Sequence, residues 1–207
     1  NLGFTITAMT MPRVVVRFEQ APPPAPAPPP PAPEMCCKAT GDPHFHTFCG
    51  HNCDVMGLGV YPHVTIGCGR VQSFHCPATT GWVGAATNVG VAIQSGGDVV
   101  TVLEDHIKVN GVVTRESIGG VTISIRGDTI HVVVGCIRLE SKKRNTGNIP
   151  TGYYQDYKIC TDEQPYVGFG DSICSICGDE AEPPILRTVP STEVLFDAVD
   201  IAELYDQ

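Results

Sequence analysis

The sequence predicts an all-β domain: a disulfide-stapled antiparallel β-sandwich, preceded by a polyproline II linker and followed by a short C-terminal helix. Three observations carry this prediction. Ten cysteines in 207 residues are an even number that suits full pairing in an oxidising compartment. Two dipeptides that tolerate positive φ, Asn110-Gly111 and Gly127-Asp128, each separate β-branched runs, which is the signature of a tight hairpin. Gly 22 and Pro 18 give frequent turns, which favour short strands over long helices.

The elements follow in order. Residues 1–20 contain TITAMTMPRVVVRFEQ, a β-branched stretch that reads as the end of a preceding domain or as a docking strand, since it is too short to form its own core. Residues 21–34 are a proline-rich linker, with nine prolines in APPPAPAPPPPAP. Proline fixes φ and removes the N–H donor, so at ~3.1 Å per residue this segment spans roughly 40 Å as a semi-rigid rod. The sandwich domain is assigned to residues 35–182. Within it VTVLEDHIKVNGVVTRESI and VTISIRGDTIHVVVGCIRLE each contain two strand-like runs around a turn. Residues 183–207 form the tail. There Ser191 or Thr192 can cap a helix whose stripe is Val194, Ala198, Ile201 and Tyr205, widened by Leu195 and Ala202.

Charge narrows the partners. A net charge of −9 disfavours nucleic acid and anionic membranes, both of which need clustered Lys and Arg. Twelve of the 22 acidic residues lie after position 153. No run of eighteen apolar residues is present, so no membrane span is expected. No signal peptide is visible and residue 1 is Asn, so we read the chain as a processed protein or a fragment of a longer one. No Asn-X-Ser/Thr site occurs.

The chemistry-bearing stretch is TGDPHFHTF, residues 40–48. Asp42-Pro43 makes a turn, and His44 and His46 then share one face of a strand with Phe45 on the other. With Cys49, His51 and Cys53, five potential zinc ligands fall within ten residues. One strand brings only two of them together, however, and the Cys-X2-Cys knuckle of a zinc site is missing there. A Cys–His nucleophile pair would need a free thiolate and an oriented base, which nothing here singles out, so the chain is read as not an enzyme. Arg126-Gly127-Asp128 is read as a hairpin turn rather than an adhesion tripeptide. Lys142-Lys143-Arg144 with Arg138 is read as a solvated basic loop, and Trp82 as core. Cys174-X2-Cys177 lacks the βαβ setting of a redox pair. Behind it, Asp179, Glu180 and Glu182 offer calcium-type oxygen ligands, and calcium is the cofactor these residues suggest.

These pieces resemble a von Willebrand factor type D domain. The carriers are Cys37 followed by Gly41-Asp42-Pro43-His44-Phe45 and Thr47-Phe48, then Gly57-Leu58-Gly59-Val60-Tyr61, the hairpin Val109-Asn110-Gly111, and the closing Cys174-Ser175-Ile176-Cys177-Gly178. Order and spacing match over about residues 36–180, roughly two thirds of the chain. The resemblance implies a β-sandwich in multimodular secreted glycoproteins that build gels, coats or filaments and are not enzymes. It implies pairing of Cys37 (or Cys36) with Cys177 and of Cys68 with Cys174. It leaves Cys49, Cys53, Cys76, Cys136 and Cys160 without assigned partners. It also suggests calcium at Asp42, Asp179, Glu180 and Glu182, although the loop lacks the family's asparagines. Cleavage of the Asp42-Pro43 bond is a further property of some members. This chain departs at Cys49-Gly50, where the family has Asp-Gly, and at Gly59, where it has cysteine.

The expected function is an extracellular structural or assembly module of a secreted or cell-surface glycoprotein. Its partners would be other protein subunits, in homo- or hetero-assembly, in a filament, extracellular matrix or surface appendage. The alternative is an adhesion module for a soluble ligand or glycan, and behind it a metal-binding or self-cleaving protein.

Overall fold

The computed structural model describes residues 34–41, 43–78, 85–104, 106–147, 149–163, 172–176 and 187–205. Thirteen strands form two antiparallel sheets. The first holds β1 (Met35–Thr40), β2 (His44–His46), β3 (Asn52–Asp54), β10 (Val121–Arg126), β11 (Thr129–Val134), β12 (Ile137–Asn145) and β13 (Tyr153–Thr161), in the order β10-β11-β12-β13-β1-β2-β3. The second runs β4-β5-β6-β7-β8-β9 and is built from β4 (Gly59–Ile66), β5 (Gly69–Pro77), β6 (Ala86–Ser95), β7 (Asp98–Leu103), β8 (His106–Val109) and β9 (Val112–Val113). The expected sandwich is therefore present, and Ala32–Gln207 form one compact unit.

Alternation builds the first sheet. In β13, Tyr153, Gln155, Tyr157 and Ile159 turn inward while Tyr154, Asp156 and Lys158 stay partly exposed. The central core collects Ile159, Leu139, Ile137 and Val132 from that sheet and Val64, Val91, Ile93 and Ile107 from the other, all at most 2% exposed. At ~25 cal/mol per Å² of apolar surface, this layer is the main stabilising contribution.

The second sheet breaks the alternation, because both of its faces are covered. β6 is buried at nine of its ten positions. Its outer face meets the tail, in a second cluster of Val60, Phe74, Val89, Ala92, Leu103 and Phe196. A Cβ on Gly90 would lie 2.3 Å from Leu103 and 3.1 Å from Phe196, so only glycine admits the tail there.

Turn chemistry sets the hairpins. Asn110 and Gly111 take φ of +52° and +78° between β8 and β9. The Asn110 side chain fixes the corner: Oδ1 accepts from the Val99 N–H at 2.8 Å and Nδ2 donates to Asp98 at 3.0 Å. Asn110→Ala is expected to cost about 2 kcal/mol, from lost hydrogen bonds and left-handed strain. Urea unfolding measures this, with Asn110→Gly recovering the conformational part.

Three expectations are corrected. The C-terminal helix does not start at Ser191 or Thr192. Residues 191–193 form one 3-10 turn without a side-chain cap, residues 194–197 lie non-helical along the sheet, and α1 spans Ala198–Tyr205. The reason is tertiary: Gln72 Nε2 donates to the Glu193 carbonyl at 2.9 Å and its Oε1 accepts from the Leu195 N–H at 2.8 Å. Those bonds, with Phe196 buried, hold the chain extended where local pattern favours helix. Second, Lys142-Lys143-Arg144 is not a loop but the body of β12, with Lys143 paired to Glu104.

The third correction concerns the disulfides. Cys37 pairs with Cys174, not with Cys177, and Cys68 pairs with Cys136, not with Cys174; Cys36 pairs with Cys160. Strand geometry explains this. Cys36 stands directly opposite Cys160 on β13, on the outward face. Cys37, one residue on, turns inward to the 3-10 turn Ile173–Ser175 that carries Cys174. Cys68 and Cys136 lie in the β4–β5 and β11–β12 turns.

Candidate functional site

The site region is built around β1, β2 and β3. Register places His44 opposite Asp54 and His46 opposite Asn52. The His44 Nδ1 lies 2.6 Å from Asp54 Oδ1, and the His46 Nδ1 lies 3.0 Å from Asn52 Oδ1. Both imidazoles are exposed, as expected for the outward side of the strand. Phe45 points the other way and is 1% exposed.

Beneath Phe45 lies a buried ring cluster that sequence reading missed. Phe45 stands 5.5 Å from His63 and 5.9 Å from His75, while Tyr61 packs on His75 at 5.0 Å and Tyr157 on His63 at 5.2 Å. Burial favours the neutral imidazole. It pushes His63 down to about 3, helped by the neighbouring His75, and His75 down to about 4 against its hydrogen bonds to the Gly57 and Val55 backbone. Burial likewise raises the Tyr157 phenol. The His75 Nδ1 faces the Gly57 carbonyl at 3.3 Å and its Nε2 faces the Ser73 hydroxyl at 3.0 Å. The His63 Nδ1 faces the Tyr157 hydroxyl at 3.5 Å, and its Nε2 is buried without a hydrogen-bond partner. Asn88 is also buried with both side-chain polar atoms unpartnered, while its backbone N–H donates to the Gly41 carbonyl at 3.2 Å. No local pattern pointed to these residues, since strands buried on both faces lose the alternation that tells in from out.

The cysteines of the motif have separate fates. Cys49 is disulfide-bonded. Cys53 and Cys76 are free thiols. Burial, with Asp54 adding to it, pushes the Cys53 thiol up to about 11, and burial pushes Cys76 up to about 12. Both therefore stay protonated at neutral pH, the unreactive form for a nucleophile. Among the described residues, three groups of His, Cys and acid side chains come close enough to share an ion. Each is a disulfide plus one neighbour: Cys37–Cys174 with His63, Cys36–Cys160 with Glu34, and Cys68–Cys136 with Glu163. Sulfurs bonded to each other offer no thiolate, so these are not zinc sites in this oxidised form.

Asp42, Asp179, Glu180, Glu182, Cys177 and Trp82 lie outside the described residues, as do segments 1–20 and 21–33. Arg126-Gly127-Asp128 forms the expected turn between β10 and β11, with Gly127 at φ +62° and Asp128 paired to Lys142 at 2.6 Å. Among the described residues no helix is long and apolar enough to cross a membrane. Comparison with protein-family models gives no match, and comparison with curated proteins gives no relative.

Proposed function

We propose that this chain is an extracellular structural module of the von Willebrand factor type D kind, which helps to build a filament, matrix or surface appendage from repeated subunits. The observation that carries the reading is the double staple of β1. Adjacent Cys36 and Cys37 leave the strand on opposite faces and tie it to β13 and to the Cys174 turn, across separations of 124 and 137 residues. A strand fixed on both faces near its start transmits load into the sheet instead of peeling away. Disulfides of this length suit an oxidising compartment. The rings under the GDPH motif are buried and neutral, which suits packing more than proton transfer.

Sedimentation velocity of the secreted protein over a concentration range tests the proposal. Reversible, concentration-dependent growth beyond the monomer is expected. A strict monomer at hundreds of micromolar, joined by saturable binding of a small ligand, would favour the adhesion reading.

A further inference from the structure

The outward face of the first sheet breaks a packing rule. Cross-strand register sets Lys38 directly opposite Lys158 on β1 and β13, and His46 opposite Lys38 on the other side. Like charges placed opposite one another in an antiparallel pair disfavour the sheet. Neither Lys38 nor Lys158 has an ion-pair partner among the described residues, although Glu140 stands opposite Lys158 in the next strand. The surrounding basic residues are matched: Arg144 pairs with Asp156 at 2.7 Å, Lys142 with Asp128 at 2.6 Å and Arg138 with Glu34 at 2.7 Å. Lys38 and Lys158 thus place two unpaired positive charges side by side, in a chain of net charge −9.

The row lies at the junction of two shallow grooves. One, of about 300 Å³, runs over His44, His46, Asn52 and Asp54; the other, of about 350 Å³, runs over Glu140, Lys142, Arg144, Asp156 and Lys158. They share Lys38 and Thr40.

On the opposite side of the sandwich two acids, Glu193 and Asp197, are partly exposed. There Val189, Val194, Leu195, Phe196 and Ile201 of the tail pack on the second sheet, and in sequence Asp200, Glu203 and Asp206 follow Asp197 at every third position. Glu193 and Asp197 reach Arg70 and Lys108 of the same chain at 3.8 and 3.1 Å, yet their side chains remain 59% and 51% exposed.

We propose that the Lys38–Lys158 row is the docking face for the acidic C-terminal tail of a second copy of this chain. The inference rests on the assembly reading above and names its surface and partner. Two different patches on opposite faces make a heterologous contact, and a heterologous contact that does not close into a ring extends as a filament. Overall −9 charge makes copies repel, so the paired lysines select where and how they meet.

Sedimentation velocity at 50 and 500 mM salt tests this on the full chain, in wild type and in Lys38→Glu/Lys158→Glu. The wild-type association should weaken about tenfold or more with salt, by screening. The double variant should remain monomeric where wild type associates. An equimolar mixture of it with Asp200→Lys/Glu203→Lys should associate again. Lys38→Gln/Lys158→Gln separates docking from folding, because it should melt no lower than wild type while associating more weakly. If the charge-reversed protein assembles like wild type with no salt dependence, this face assignment falls and the assembly reading stands. If wild type stays monomeric throughout, the assembly reading falls and takes this one with it. Retention of a monomeric wild type on a sulfated polysaccharide, lost in the double variant, would assign the row to a glycan and overturn docking of the tail.

Discussion

Cys174→Ser is expected to lower the thermal midpoint by about 6–12 °C. The Cys37–Cys174 bond closes a separation of 137 residues. With Cys36–Cys160 still in place, the loop this bond closes is only about 15 residues, so in the chain-entropy model its removal costs about 3 kcal/mol, and in a domain of this size each kcal/mol shifts the midpoint by about 2–4 °C. Packing adds to the loss. Both cysteines are 0% exposed within the central core, so the variant leaves a hydroxyl and a thiol facing each other without a bond. Cys68→Ser should cost about 4 kcal/mol through chain entropy alone, because that bond spans 68 residues while both cysteines are only partly buried. Calorimetry of the two variants decides this. A Cys174→Ser midpoint within 3 °C of wild type would show that the buried tie does not hold the sandwich.

Acidification is the second large effect. His63 and His75 have folded-state values of about 3 and about 4, below the ordinary 6.5 of the unfolded chain. Between those limits the unfolded state binds more protons than the folded one, so stability rises with pH through this window. Their stabilisation is complete above pH 6.5 and is lost as pH falls toward 4 and then 3. By pH 5 each histidine should have cost about 2 kcal/mol, at ~1.4 kcal/mol per unit. His63→Phe keeps a ring beside Phe45 and Tyr157 and removes one titrating group. Urea unfolding at pH 7 and pH 5 should therefore show a smaller drop in the variant, by roughly half of the histidine contribution. An identical drop would mean that other groups set the acid response.

Much of the sandwich was legible because turn chemistry is local. Asn110-Gly111 and Gly127-Asp128 announced their hairpins without any knowledge of the rest of the molecule, and His44 and His46 followed from strand alternation. What escaped depended on distant partners. The tail reads as a helix from Ser191 until Gln72, more than one hundred residues away, takes the Leu195 N–H. The inner ring cluster was hidden for a related reason: β5 and β6 are covered on both sides, so His75 sits in a run with no polar face to mark it. The cysteine partners were set by which strands lie opposite one another, a fact that spacing along the chain does not contain. Likewise, the Lys38–Lys158 clash exists only once β1 and β13 are paired.

The account rests on how β1 is tied into the sandwich, and non-reducing peptide mapping of the protein tests that most directly. With fragmentation between Cys36 and Cys37, the map should contain Cys36–Cys160, Cys37–Cys174 and Cys68–Cys136, with Cys53 and Cys76 alkylated as free thiols. A map that joins Cys37 to Cys177 and Cys68 to Cys174 would contradict it.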